Sequence, residues 1–193
     1  MTRVAVLFSG RGSNLQSLAD HMARADVPAE LALAVTNRPN AGGLDYCAEA
    51  DIAAKVIDHT LFDTRDAFDA ALDTELHKAD IELVCCAGFM RLLTAGFVNR
   101  WRDRIINIHP SLLPKYKGLK THARAIEAGD SEAGCSVHYM RPEMDDGPVI
   151  VQRRVPILPD DTPDTLAARV LQEEHTAYPE ALDIVLKKMA GTA

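Results

Sequence analysis

Val4-Ala5-Val6-Leu7-Phe8-Ser9-Gly10-Arg11-Gly12-Ser13-Asn14-Leu15 decides the fold class. Five apolar residues run together with no polar alternation, the pattern of a strand covered on both faces. Two glycines then permit a tight backbone turn, and Asn14 opens a helical stretch over residues 14–25. The same alternation continues outward. Further strands are expected over 3–9, 31–36, 54–57, 83–87 and 104–109, and further helices over 43–50, 65–78 and 95–101. Within 65–78, Ala67, Phe68, Ala71, Leu72 and Leu76 fall on one stripe. Strands and helices in this order predict an α/β fold: a doubly wound, mostly parallel twisted sheet with right-handed crossovers.

The last third changes character. Residues 135–140 alternate, and 148–157 form another extended run after the turn signal Asp145-Asp146-Gly147-Pro148, which predicts an antiparallel C-terminal strand portion. Thr162 fits an N-cap with Pro163 at the first helical position. Pro179 is expected to kink or interrupt that helix and to leave residues 180–189 as a separate segment. No repeat, low-complexity tract or linker stands out, so residues 1–193 read as a single domain.

Composition narrows the function classes. The net charge is −7 over 193 residues, and no Lys/Arg block forms a phosphate-tracking stripe, which argues against nucleic acid as a partner. Cys47, Cys85, Cys86 and Cys135 form no C-x-x-C pair, consistent with a reducing cytoplasm. The apolar start is too short for a membrane span, Arg11 soon follows it, and no cleavage pattern marks a signal peptide. The seven histidines fall into no metal-ligand pattern, so no metal is expected. No G-x-S-x-G elbow supports a serine hydrolase.

Three segments carry chemistry. In the first loop, the glycines and the helix N-terminus offer backbone N–H groups to a phosphate, or simply make a tight turn. Leu15 stands where a dinucleotide fingerprint needs its third glycine, and Thr36-Asn37-Arg38 closes strand two without an acid, so a dinucleotide is disfavoured. In Arg104-Ile105-Ile106-Asn107-Ile108-His109-Pro110, alternation puts Asn107 and His109 on one face, and Pro110 ends the strand. An amide donor beside a titratable ring suits a reaction in which an oxyanion develops and a proton moves; the bland alternative is two satisfied polar residues at a strand end. In Met144-Asp145-Asp146-Gly147-Pro148, a carboxylate within reach of His109 would fix its tautomer, although the composition is also that of an ordinary turn. Glu173-Glu174-His175 reads as polar surface with one or two substrate contacts.

Together these segments resemble the glycinamide ribonucleotide formyltransferases, a family of folate-dependent enzymes. The resemblance runs through Gly12-Ser13-Asn14-Leu15, Ala87-Gly88-Phe89-Met90-Arg91, Asn107-Ile108-His109-Pro110-Ser111-Leu112-Leu113-Pro114, Ser136-Val137-His138, Asp145 and Gly147-Pro148-Val149-Ile150. It implies a Rossmann-like formyltransferase fold, 10-formyltetrahydrofolate as formyl donor, and no metal. The implied catalytic residues are Asn107, His109 and Asp145. Gly12, Ser13, Asn14 and Glu174 would bind glycinamide ribonucleotide; Arg65, Met90, Arg91, Leu92, Leu93 and Asn107 would bind the folate. The Asn-x-His-Pro-Ser-Leu-Leu-Pro signature is shared by formyltetrahydrofolate-using enzymes that act on other amines or hydrolyse the donor. The first loop favours a phosphoribosyl amine, because relatives acting on initiator tRNA or an amino sugar lack Gly-Ser-Asn-Leu there and carry extra domains. A deformylase normally carries an additional N-terminal regulatory domain, for which 193 residues leave no room. Neither nucleic acid nor membrane is implied as a partner, and a monomer or homodimer is expected. Asp146 replaces a glycine frequent in the family, and Arg11 occupies a variable position.

Overall fold

The computed structural model describes residues 1–191. Its strands are β1 (Thr2–Phe8), β2 (Ala29–Thr36), β3 (Ala54–Val56), β4 (Leu83–Cys86), β5 (Ile105–His109), β6 (Glu132–Tyr139) and β7 (Val149–Pro156). The α-helices are α1 (Ser13–Met22), α2 (Gly43–Glu49), α3 (Arg65–Lys78), α4 (Ala95–Arg100), α5 (Thr121–Glu127) and α6 (Pro163–Met189). The hydrogen-bonded strand order is β3-β2-β1-β4-β5-β6-β7. The chain divides into two compact units, Met1–Ile106 and Asn107–Ala193.

In the first unit, β1 lies between β2 and β4 and runs parallel to both, and β3 extends the sheet beyond β2 in the same sense. Val4, Ala5, Val6, Leu7 and Phe8 are all inaccessible, as the unbroken apolar run requires. The turn into α1 depends on glycine. Gly12 caps the helix with φ 79°, and a Cβ there would lie 2.9 Å from the Gly43 Cα. A Cβ on Gly43 would in turn meet the Phe8 ring at 2.6 Å, so only paired glycines let the loop close over β1. Helix α3 starts where Thr64 accepts the Ala67 N–H and buries Phe68, Leu72 and Leu76. Ala67 and Ala71 stay accessible, so the buried stripe is narrower than the sequence pattern.

In the second unit, β6 and β7 pair antiparallel as predicted, and α6 packs on both. Thr162 and Thr165 form a reciprocal capping box with Pro163 at the helix start. The expected break at Pro179 is absent: α6 runs unbroken to Met189. Proline in a helix interior costs about 3 kcal/mol. Beyond it, Ala181, Leu182, Val185 and Leu186 are buried. Burying the three larger side chains contributes roughly 1.5–3 kcal/mol each, more than enough to offset the proline. Helix α5 has no counterpart in the sequence reading, because it is short and starts at Lys120 in left-handed geometry without a side-chain cap.

All four cysteines are buried, and among the described residues none forms a disulfide. Among the described residues, no helix is long and apolar enough to cross a membrane.

Candidate active site

Strand β5 carries Asn107 and His109 into the second unit, where four side chains converge. His109 is buried, with Nε2 2.9 Å from the Tyr116 carbonyl oxygen and Nδ1 3.4 Å from Asp145 Oδ2. A carbonyl only accepts, so Nε2 carries the hydrogen that faces Tyr116. Asp145 Oδ2 also accepts the Gly118 N–H at 2.9 Å, which fixes the carboxylate before it meets the imidazole.

His138, on β6, is the fourth member. Its Nδ1 donates to the Tyr139 carbonyl oxygen at 3.0 Å, which leaves Nε2 as the acceptor of a neutral ring. Asn107 Nδ2 lies 3.3 Å from that Nε2, and this contact orients the amide. Burial pushes the His138 pKa below its ordinary value, opposed by the Tyr139 carbonyl and by Asp145, whose Oδ1 lies 3.8 Å away. Alternation along β6 puts Ser136 and His138 on one face. That spacing was the available signal for His138, which the sequence reading quoted within a motif but gave no role.

The choice between the adjacent acids is made by backbone register. A Cβ on Gly147 would lie 1.6 Å from the Tyr139 carbonyl oxygen, so the loop approaches β6 closely at that point. Asp145 takes a left-handed φ of 51°, a conformation aspartate tolerates better than most residues. Its carboxylate is thereby brought to His109, whereas exposed Asp146 pairs with Lys117.

Sequence reasoning also missed the supports of this cluster. Ser136 Oγ donates to the Ser111 carbonyl (2.7 Å) and accepts from the Leu113 N–H (3.1 Å) and from Gln152 Nε2 (2.9 Å). Tyr116, whose carbonyl meets His109, is held by its hydroxyl donating to Asp130 Oδ2 at 2.8 Å. Long-range pairings of this kind leave no local pattern. Glu174 lies on α6 and is 8% exposed, which corrects its reading as polar surface. The helix turns it inward, next to Ala177 and Tyr178 on the buried side.

In the first unit, Gly12, Ser13 and Asn14 form the start of α1, which has no side-chain cap and no acid in its first turn. Its leading N–H groups and the positive end of its dipole suit an anion. Met90 and Leu92 are 60% and 53% exposed, beside half-buried Arg91 and Leu93. The Arg91 guanidinium lies 4.5 Å from the Phe68 ring centroid, and among the described residues its buried Nε has no hydrogen-bond partner. Arg65 is exposed in the first turn of α3.

Residues 2–182 match the family model described as formyl transferase. The chain is 47% identical over 193 residues to the trifunctional purine biosynthetic protein adenosine-3 of Drosophila melanogaster, covering 99% of this chain and 14% of that protein. It spans 18% of the corresponding human protein. It is 43% identical over 176 residues to the phosphoribosylglycinamide formyltransferase of Escherichia coli (strain K12), covering 91% of this chain and 83% of that one. The crystal structure of the phosphoribosylglycinamide formyltransferase from Brucella melitensis is similar with a TM-score of 0.90 at 42% identity, covering 94% of each chain.

Proposed function

This chain belongs to the formyl transferase family, and on that footing we propose that it transfers the formyl group of 10-formyltetrahydrofolate to the amine of glycinamide ribonucleotide in purine biosynthesis. The observation that carries the reading is the placement of His109 between the Asp145 carboxylate and the Tyr116 carbonyl, on the same strand face as Asn107. When the amine adds to the formyl carbon, the formyl oxygen becomes negative. The Asn107 amide donates to that oxygen, and so does His109 once its Nε2–H turns from the Tyr116 carbonyl to the substrate, each donor contributing about 2.7–4 kcal/mol in comparable sites. Asp145 keeps His109 oriented. His109, or a water beside it, passes the amine proton to the departing N10.

The acceptor phosphate is held by the backbone of Gly12, Ser13 and Asn14, and Glu174 accepts from the ribose hydroxyls. For the folate, the residues present fit the group: Met90, Leu92 and Leu93 offer apolar contact to a flat ring system, and Arg91 supplies an N–H that has no hydrogen-bond partner among the described residues. Arg65 offers a cation to the acidic tail. No covalent enzyme intermediate is needed.

Formyl transfer assayed with glycinamide ribonucleotide, wild type against His109→Ala, tests this reading. Turnover should fall strongly in the variant with little change in substrate affinity. Unchanged turnover would remove His109 from the chemistry. Formate released without acceptor, or formylation of another amine only, would reassign the enzyme within the family.

A further inference from the structure

The loops after β1, β2 and β3 enclose a groove of about 650 Å³ in the first unit, which the formyl-transfer reading does not use. It is a built feature. Ser9, just after β1, donates from Oγ to Asn37 Oδ1 at 2.5 Å, and Asn37, just after β2, is fully buried. The Asn37 carbonyl accepts from His59 Nδ1 at 2.8 Å, which fixes the imidazole in the groove lining. The Gly43 N–H donates to the Gly10 carbonyl at 3.0 Å and stitches the first loop to the second. Burying an amide and a hydroxyl is tolerated only when they are satisfied, so the three strand ends are held in one arrangement.

The lining chemistry points to a phosphate. Arg11 and Arg38 both line the groove and are exposed, and among the described residues neither guanidinium has a partner. Two unpaired cations in one groove lining, in a chain of net charge −7, leave a local positive field. The lining contains one carboxylate, Asp58, and that group accepts from the Thr60 N–H (2.9 Å) and hydroxyl (2.8 Å). The Pro39 ring and the His59 imidazole held by Asn37 add apolar and aromatic surface to the lining. The volume is that of a small-ligand site.

We infer that this groove binds a nucleoside 5′-monophosphate, with Arg38 and Arg11 on the phosphate and Pro39 and His59 beside the base. The site shares the loop over residues 9–14 with the acceptor phosphate, but it is lined by Gly10 and Arg11 rather than by Gly12, Ser13 and Asn14.

Calorimetric titration of the full chain with AMP, adenosine and inorganic phosphate tests the inference. AMP should bind below about 1 mM, and adenosine and phosphate each more weakly. Arg38→Ala should weaken AMP at least about tenfold, and Arg38→Lys less. Glycinamide ribonucleotide at saturation should leave AMP binding in place, and its KM should be unchanged in Arg38→Ala. Both Arg38 variants replace an exposed side chain, and matching melting temperatures would show that the fold is kept. Absence of AMP binding, equal AMP affinity in Arg38→Ala, or displacement of AMP by glycinamide ribonucleotide would each overturn the inference. Formyl transfer without AMP binding sinks this site alone; AMP binding without formyl transfer sinks the proposed activity alone.

Discussion

Asp145 Oδ2 lies 3.4 Å from His109 Nδ1 while accepting the Gly118 N–H at 2.9 Å, so one carboxylate oxygen is shared between a fixed backbone donor and the imidazole. Asp146, the next residue, is turned to Lys117 and solvent. Asp145→Asn keeps the shape but offers His109 a neutral partner, and loss of the charge alone can cost about 10²–10⁴ in turnover in histidine-based catalysis. Asp146→Asn breaks an exposed pair worth about 0–1 kcal/mol and should leave turnover within about threefold of wild type. Steady-state kinetics of the two variants decide the matter; if Asp146→Asn is the more damaging, the assignment fails.

The Asn107–His138 contact should make activity sensitive to acid. His138 accepts the Asn107 amide only while neutral, and burial holds its pKa below the ordinary 6.5. Below that depressed value the ring gains a proton, Nε2 becomes a donor, and the amide loses its orienting partner. A fall in kcat on the acid side below pH 6.5 is expected. The sign for stability is the same. The unfolded chain takes up a proton near pH 6.5, before the folded protein does, so stability is full above that pH and falls as pH drops toward the folded value. His122 and His175, also lowered by burial, add to it in the same direction. Melting temperature followed against pH should show the decline, and His138→Gln should flatten part of it. A slope unchanged by that substitution would count against the buried neutral ring.

How much of this was legible in the sequence follows from what is local. The apolar run of β1, the turn at Gly12 and the Thr162-Pro163 helix start depend on neighbours a few residues away, and each appears where its pattern lies. Asn107 and His109 share a face because strand alternation is local too. The Ser136 and Gln152 support of the Ser111–Leu113 segment joins residues tens of positions apart, and only the folded chain reveals it. Helix α5 and the left-handed Lys120 were hidden for the same reason: neither rests on local propensity.

Ser136 is the strongest of those hidden supports. Replacing it by alanine leaves a buried carbonyl and a buried N–H without their shared hydroxyl, at about 1–3 kcal/mol for each group left unsatisfied. The loss should be at least about 2 kcal/mol in denaturant unfolding, with the unfolding slope unchanged. Because Ser136 ties the segment that follows His109, kcat should fall as well, while KM for the acceptor changes little. A variant as stable as wild type would show that water or a shift of Gln152 replaces the hydroxyl.

Pro179 tests the balance of forces in α6. The helix keeps its course through a residue that lacks an N–H, because the apolar side chains beyond it are buried. Alanine at this position can donate to the carbonyl one turn back and removes the ring clash. Its greater freedom in the unfolded chain offsets part of the gain, by about 0.4–1 kcal/mol. Pro179→Ala is therefore expected to raise stability by about 2 kcal/mol or slightly more, read as a higher melting temperature with activity preserved. Had residues 180–189 formed a segment set off by the proline, the same substitution would rebuild the end of the helix and disturb their packing, and stability would fall.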